Sequence, residues 1–296
     1  MSIKVANCYI YPLKSGSALS VDQFKITKRG PENDRLWMLI QGQGTNIAKF
    51  ISQRDKGCEK LALVKSLPME LGAIKFSTPD GLSFVVQEKD LSFRKNIVQV
   101  LNDQCDSLDA GNEAARWFSD YLQLPCRLVK LSENFIRFTN IDYSQQGDQV
   151  SFADGFPLLI TNLASLEKLN THFPSNSEIG MARFRPNIIL TGAQPFEEDI
   201  IHEIKIGDAT LEFVKPCTRC MITTIDQRNG ISLSDEPLRT LGKVRQGNAG
   251  GLNGVFFGQN AIPRKLGIIK VGDEIEILSK KPLHPALKNA VYHFEE

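Results

Sequence analysis

The sequence lacks most of the features that declare a function at first sight. Only six cysteines occur in 296 residues (Cys8, Cys58, Cys105, Cys126, Cys217 and Cys220), and they are mostly scattered, unlike a secreted disulfide framework. Neither sign of charge is in excess: 35 Lys and Arg face 34 Asp and Glu, for a net charge of +1. So balanced a chain has no general field for nucleic acid or a membrane surface, and any anion it binds must be held by a local cluster of cations. No apolar run approaches the ~18 residues of a membrane span, and the best, FPLLITNLASL, holds Asn162. The N-terminus, MSIKVANCYIYPLKSG, is interrupted by Asn7, Pro12 and Lys14 and lacks the core and cleavage site of a signal peptide. These absences predict a reduced, soluble, cytoplasmic protein with no nucleic-acid or membrane partner. Internal repeats, low-complexity tracts, a GxSxG elbow, an HExxH pair and a GxxxxGK[ST] loop are all missing.

What remains is an ordinary globular composition, 42% hydrophobic and 23% charged, long enough for two domains. The first hundred residues consist of short strand-like runs: KVANCYIY, VDQFKIT, LWMLI, LALVKS, LGAIKFST, LSFVVQ and NIVQV. Turn signals separate them at Lys14-Ser15-Gly16, Gly30-Pro31, Gly42-Gln43-Gly44 and Pro79-Asp80-Gly81. A spacing of about ten residues suggests a barrel or sandwich rather than βαβ units. One helix follows, capped at Gly111-Asn112, with Ala114, Trp117, Phe118, Tyr121 and Leu122 on one core-facing stripe. A second strand-rich stretch runs from Arg127 to Leu278, with helices expected at LASLEKLNTHF and DEPLRTLGKVRQ. The fold class is therefore mostly β with α (α+β). An N-terminal β-barrel-like domain spans 1–123, a second β-barrel domain with a few helices spans 124–281, and 282–296 form a tail or packing arm.

The densest chemistry lies in VKPCTRCMITTID, residues 214–226, where Cys217 and Cys220 form a CxxC with Lys215 and Arg219 close by. Neighbouring cations favour the thiolate, the form that attacks or binds metal. A thioredoxin-like CxxC opens a helix, whereas the β-branched residues from Ile222 to Ile225 read as a strand. A zinc site needs two more thiolate or imidazole ligands at matched spacing, and the four histidines are isolated. Two inert buried cysteines, or a single thiolate on a metal whose other ligands come from a cofactor, are the remaining readings. Cations also stand in turn-like settings: Lys14 in YPLKS, Arg35 in NDRLW, Arg54 in SQRD, and Arg183 and Arg185 in RFRPN. Arginine forks suit phosphate and carboxylate, although any one of them taken alone is an ordinary surface charge. GNAGGLNG, from Gly247 to Gly254, reads as a loop or lid, and Asp154 and Asp226 as turn, cap or orienting carboxylates.

In order along the chain, YPLKS, NDRLWML, SQRD, DGFPLLIT with Ser165, FRPNIILTG, PCTRCMITTID, FFGQN and IKVGDEIEIL together resemble the MOSC family. The likeness is to its two-part members, an N-terminal MOSC β-barrel domain followed by a MOSC domain, the branch of YcbX-like and amidoxime-reducing-component-like proteins. The resemblance implies a molybdenum cofactor, a metal held by the dithiolene of a phosphate-bearing pterin. Cys220 would be the protein's thiolate ligand to molybdenum and the catalytic residue. Lys14, Ser15, Arg35, Arg185 and Asn187, with Thr218 and Arg219, would hold the phosphate and pterin, and Arg54, Asp154, Thr161, Cys217 and Asn260 join the cofactor-binding set. The implied reaction is reduction of N-hydroxylated compounds such as hydroxylamines, amidoximes and N-hydroxylated bases. A non-catalytic carrier of the cofactor or of sulfur is the alternative. No cysteine follows Cys220, so no C-terminal 2Fe–2S ferredoxin domain is expected, and electrons would come from a separate flavoprotein, ferredoxin or cytochrome.

Overall fold

In the computed structural model, which describes residues 2–41, 47–174 and 178–294, the chain is mostly strands with three α-helices. The predicted turn at Gly42-Gln43-Gly44 lies outside the described residues. The larger sheet runs in the order Leu19–Val21, Lys4–Ile10, Ile188–Thr191, Leu158–Asn162, Leu252–Lys265, Ala209–Thr218, Ile201–Ile206, Ile275–Lys280. The first strand closes it onto the last: the Ile275 N–H donates to Ile3 O at 2.9 Å and the Val5 N–H to Asp273 O at 3.0 Å. Alternate side chains from these strands, among them Val5, Ile160, Ile188, Ile204, Leu211 and Phe213, fill the enclosed core.

A five-stranded sheet, ordered Trp37–Gln41, Cys126–Leu131, Asp103–Asp109, Ser92–Val100, Ala48–Lys49, carries most of the N-terminal half. The continuous run WMLI is explained by burial on both faces. Trp37 and Leu39 pack with Phe76 and Phe118, and Met38 and Ile40 pack with Val98, Val129 and Phe152. The sheets do not follow the division at 123/124. Strand Cys126–Leu131 pairs with Trp37–Gln41, and the first strand, Lys4–Ile10, lies in the larger sheet against Ile188–Thr191.

Helix α1, Gly111–Leu122, buries Ala114, Phe118 and Leu122 as its stripe predicts. Its cap differs: the Asp109 carboxylate accepts from the Gly111 N–H at 2.7 Å, while Asn112 accepts from Arg127. Helix α2, Leu163–Asn170, starts where Asn162 accepts from the Ala164 N–H, so the residue that breaks the apolar run is a cap. Helix α3 spans Leu238–Val244. None of these is long and apolar enough to cross a membrane.

Two expectations are corrected. The stretch after Cys220 is not a strand: Met221–Thr224 is a 3-10 helix. The hydroxyls of Thr223 and Thr224 each donate to the carbonyl three residues back, at 2.9 Å, and this local bonding overrides β-branched propensity. GNAGGLNG is not a free loop but a hairpin, Gln246–Ala249 paired with the start of Leu252–Lys265. Gly250 and Gly251 both take positive φ at its turn, as a type I′ connection requires. A Cβ at Gly247 would meet Ala286 O at 1.7 Å, because the tail, with Ala286 and Leu287 buried, packs on the hairpin.

A fully buried Arg245 ties these parts together. It forms a two-pronged pair with Asp199 at 2.7 and 3.1 Å and donates to Tyr292 O at 2.6 Å. Arg245→Ala strands the Asp199 charge, and a loss of about 3–5 kcal/mol is expected in urea unfolding. Burial beside Asp199 pushes the Glu198 carboxyl up to about 7. The folded chain then holds a proton that the unfolded chain releases, so stability falls as pH rises from the ordinary carboxylate range towards 7. Urea midpoints measured across that window should slope downward in the wild type and flatten in Glu198→Gln.

Candidate functional site

One cleft at the junction of the two sheets collects twelve of the thirteen residues singled out by the sequence. They are Lys14, Ser15, Arg35, Arg54, Asp154, Arg185, Asn187, Cys217, Thr218, Arg219, Cys220 and Asn260. Thr161 is the exception. It is fully buried two residues beyond Leu159 on the same strand, with its methyl against Gly258 and its hydroxyl unpartnered, so it does not reach the cleft. Phe50, Ser52, Phe156, Phe184 and Ile222 also line the cleft and were missed by sequence reading. Four of them are apolar types common in any core, Ser52 is a common turn type, and no local pattern marks them out.

The cationic side of the cleft is built on buried Asp34. Its carboxylate accepts from the Tyr11 N–H at 2.8 Å, Arg35 Nη1 at 2.6 Å and Asn187 Nδ2 at 3.1 Å. Burial raises the Asp34 pKa, and Arg35 and these donors oppose the rise. Asn187 uses its whole amide: Nδ2 also donates to Tyr9 O, while Oδ1 accepts from Arg35 Nη1 and from the Leu159 N–H. Asn187 therefore serves as a brace that fixes Arg35, joining the first strand, the 34–35 turn and the strand Leu158–Asn162.

Ser15, Arg35 and Arg185 all hold left-handed backbone, with φ of 66°, 49° and 56°. Non-glycine residues in this region are uncommon and cluster at functional sites. In the turn at Ser15 the Gly16 N–H donates to Leu13 O at 2.9 Å, and Gln53 Nε2 donates to Ser15 O at 2.7 Å. Arg185 Nη1 donates to Gly16 O at 2.7 Å and Gln227 Oε1 at 3.0 Å. Burial lowers its pKa only to about 10, so it stays charged at neutral pH. Lys14 is buried, which lowers its pKa, and it donates to Phe152 O and to Asp154 Oδ1 at 2.8 and 2.5 Å. The Asp154 side chain is 61% exposed to the cleft, and Lys14 holds its carboxyl well below the usual range. Arg137, outside the cleft, fixes this segment by donating to Ser151 O, Ala153 O and Asp154 O.

The thiols line the same cleft. Cys217 is half-buried and Cys220 exposed. Arg219 Nη1 lies 2.9 Å from Cys217 Sγ, Nη2 donates to Phe184 O at 2.6 Å, and the buried Nε has no partner. Cys220 caps the 3-10 turn, with its carbonyl accepting from the Thr223 N–H at 3.0 Å. Arg183, outside the cleft, donates to Thr223 O and Thr224 O and so supports that turn, while Asp226 pairs with Arg183 and Arg228 within its own turn. Among the described residues no group of three His, Cys, Asp or Glu side chains is placed to hold a metal ion. Five cations and one carboxylate line the cleft of a chain whose net charge is +1. A cationic wall facing an accessible thiol suits a multiply charged anion that also carries a thiophilic metal.

The family model for the MOSC domain matches residues 147–276, and that for the MOSC N-terminal β-barrel domain matches residues 2–125. The chain is 31% identical over 294 residues to mitochondrial amidoxime-reducing component 1 of Mus musculus, covering 93% of this chain and 82% of that protein. It is 32% identical over 284 residues to mitochondrial amidoxime reducing component 2 of Homo sapiens, covering 92% and 82%. Among solved structures, the YUAD protein from Bacillus subtilis aligns with a TM-score of 0.41 and 13% identity over 93% of this chain and 94% of that one.

Removing the brace should be felt in folding as well as in the site. Asn187→Ala leaves the buried Leu159 N–H without its partner and Asp34 with one donor fewer, and is expected to lower stability by about 2–4 kcal/mol. Arg54→Ala, at the open rim, should change stability by less than about 0.5 kcal/mol. Urea melts of the two variants giving equal midpoints would contradict the role of Asn187.

Proposed function

The chain belongs to the MOSC family, with an N-terminal MOSC β-barrel domain followed by a MOSC domain, and from that premise we propose that it is a molybdenum-cofactor-dependent reductase of N-hydroxylated compounds. The observation that carries the reading is the meeting of an exposed thiol, Cys220, with five cations in one cleft. The relatives' name, amidoxime-reducing component, supports the reaction type. The overall change takes an N–OH group, two electrons and two protons to N–H and water. When bound, the molybdenum–pterin group supplies the two-electron chemistry.

The chain's own residues bind and orient. Arg35, Arg185 and Lys14 hold the phosphate and pterin from one wall, and Arg219 and Thr218 hold them from the other. Cys220 supplies the thiolate to the metal, and its position on a short turn keeps the sulfur accessible. Phe50, Phe156 and Ile222 supply the apolar part of the lining. Asp154, ionised at neutral pH, acts as an acceptor there and not as a proton donor. Electrons come from a separate flavoprotein, ferredoxin or cytochrome. Burial pushes the Cys8 thiol up to about 12 and those of Cys105 and Cys126 to about 11, which makes them poor thiolate ligands for a cluster of the chain's own.

Protein made in a host that synthesises the cofactor should carry stoichiometric molybdenum with a pterin, and should reduce benzamidoxime with a reduced viologen dye as donor. Cys220→Ser is expected to abolish turnover, and Cys217→Ser to retain much of it. Equal losses would point to a dithiol or zinc site. Arg185→Ala should weaken cofactor binding at least tenfold, about 1.4 kcal/mol, and so lower molybdenum content without unfolding the chain. A loaded protein that reduces no N-hydroxylated compound would establish the carrier reading instead.

A further inference from the structure

Tyr11 lies outside the cleft lining and is almost wholly buried. Its ring centre is 4.1 Å from the Arg35 guanidinium carbon and 4.3 Å from that of Arg185, and its hydroxyl donates to Pro186 O at 3.0 Å. Its backbone joins the same unit, with the N–H on Asp34 and the carbonyl accepting from the Arg35 N–H at 2.8 Å. Arg35 Nη2 also donates to the Arg185 backbone carbonyl at 3.3 Å, and one ring thus carries two guanidinium groups whose like charges repel. A carboxylate placed between them would remove the repulsion but would also cancel the charge that a ligand is to feel. An aromatic ring attracts both guanidinium groups through its quadrupole and leaves their charge intact. Burial pushes the Tyr11 hydroxyl up to about 12, so the ring stays neutral.

We propose that Tyr11 is a positioning residue, a neutral bracket that sets the spacing and direction of Arg35 and Arg185 for the phosphate of the bound cofactor. The inference rests on the reading of the cleft as a site for a phosphate-bearing anion. Among the described residues the hydrogen bonds each hold one of the two guanidinium groups: Asp34, Asn187 and the Arg185 carbonyl take that of Arg35, and Gln227 and Gly16 O take that of Arg185.

The test uses the full chain made in a host without the cofactor, with pyrophosphate binding followed by calorimetry, and the same variants made in a cofactor-producing host for molybdenum content. Tyr11→Phe keeps the ring and should bind within about twofold of the wild type. Tyr11→Leu should bind about tenfold more weakly and carry correspondingly less molybdenum. Pentafluorophenylalanine placed at position 11 keeps the shape and reverses the ring's quadrupole. It should reproduce the loss seen with leucine while the unfolding midpoint stays near that of Tyr11→Phe, which also covers a leucine variant that fails to fold. In an Arg185→Ala background the fluorinated ring should weaken binding by a smaller factor than in the wild type, because one of its two targets is gone. Wild-type binding by the fluorinated protein, or an unchanged factor in the Arg185→Ala background, overturns the bracket. A wild-type chain that takes up neither pyrophosphate nor molybdenum overturns the phosphate reading itself, and is recognised before any variant is made.

Discussion

The structure depends on how one buried carboxylate is satisfied. Asp34 is removed from water at the junction of the two sheets, where an isolated charge is strongly unfavourable, and it is held by Arg35, Asn187 and the Tyr11 N–H. Arg35 is its neighbour in sequence, but Tyr11 lies 23 and Asn187 153 residues away, so satisfying Asp34 draws the first strand and the Asn187 segment together. The same contacts orient Arg35 toward the cleft. Folding and the formation of the anion-binding wall are thus one event, and the wall is present before any ligand arrives.

The electrostatics of the cleft follow from unequal pairing. Elsewhere the chain matches its charges: Arg264 with Asp148 and Glu212, Arg245 with Asp199, Arg127 with Asp109. In the cleft, backbone carbonyls and amide oxygens do much of the work that carboxylates do elsewhere. Gly16 O and Gln227 take Arg185, Phe184 O takes Arg219, and Phe152 O shares Lys14 with Asp154. The carbonyl and amide partners fix the direction of Arg185 and Arg219 without neutralising them, whereas Lys14 and Arg35 each also meet one carboxylate, Asp154 and Asp34. A chain of net charge +1 can in this way present a concentrated positive surface at one place.

The thiol wall is made by different means. Thr223 and Thr224 bend the chain into a short turn just after Cys220, Arg183 ties that turn to the segment that carries Arg185, and the thiol is left accessible. Left-handed backbone at Ser15, Arg35 and Arg185 sets the direction in which these three cleft residues leave the chain.

By itself the sequence determined the α+β class, the stripe of α1, the approximate ends of the three helices and thirteen candidate site residues, twelve of which lie in the cleft. Period and turn residues carry the first three, and ordered motifs carry the last. Only the tertiary structure decided the rest. That the first strand belongs to the large sheet is a matter of long-range pairing, which leaves no local trace. That residues after Cys220 form a turn came from threonine side chains bonding back to the chain, against their strand propensity. That Gly247 lies in a packed hairpin depended on the tail, and that Thr161 misses the cleft depended on its position along a fully buried strand. Phe50 and Phe156 look like core residues until the fold places them at the mouth, and Tyr11 acquires its role only when two arginines 150 residues apart come to rest on one ring.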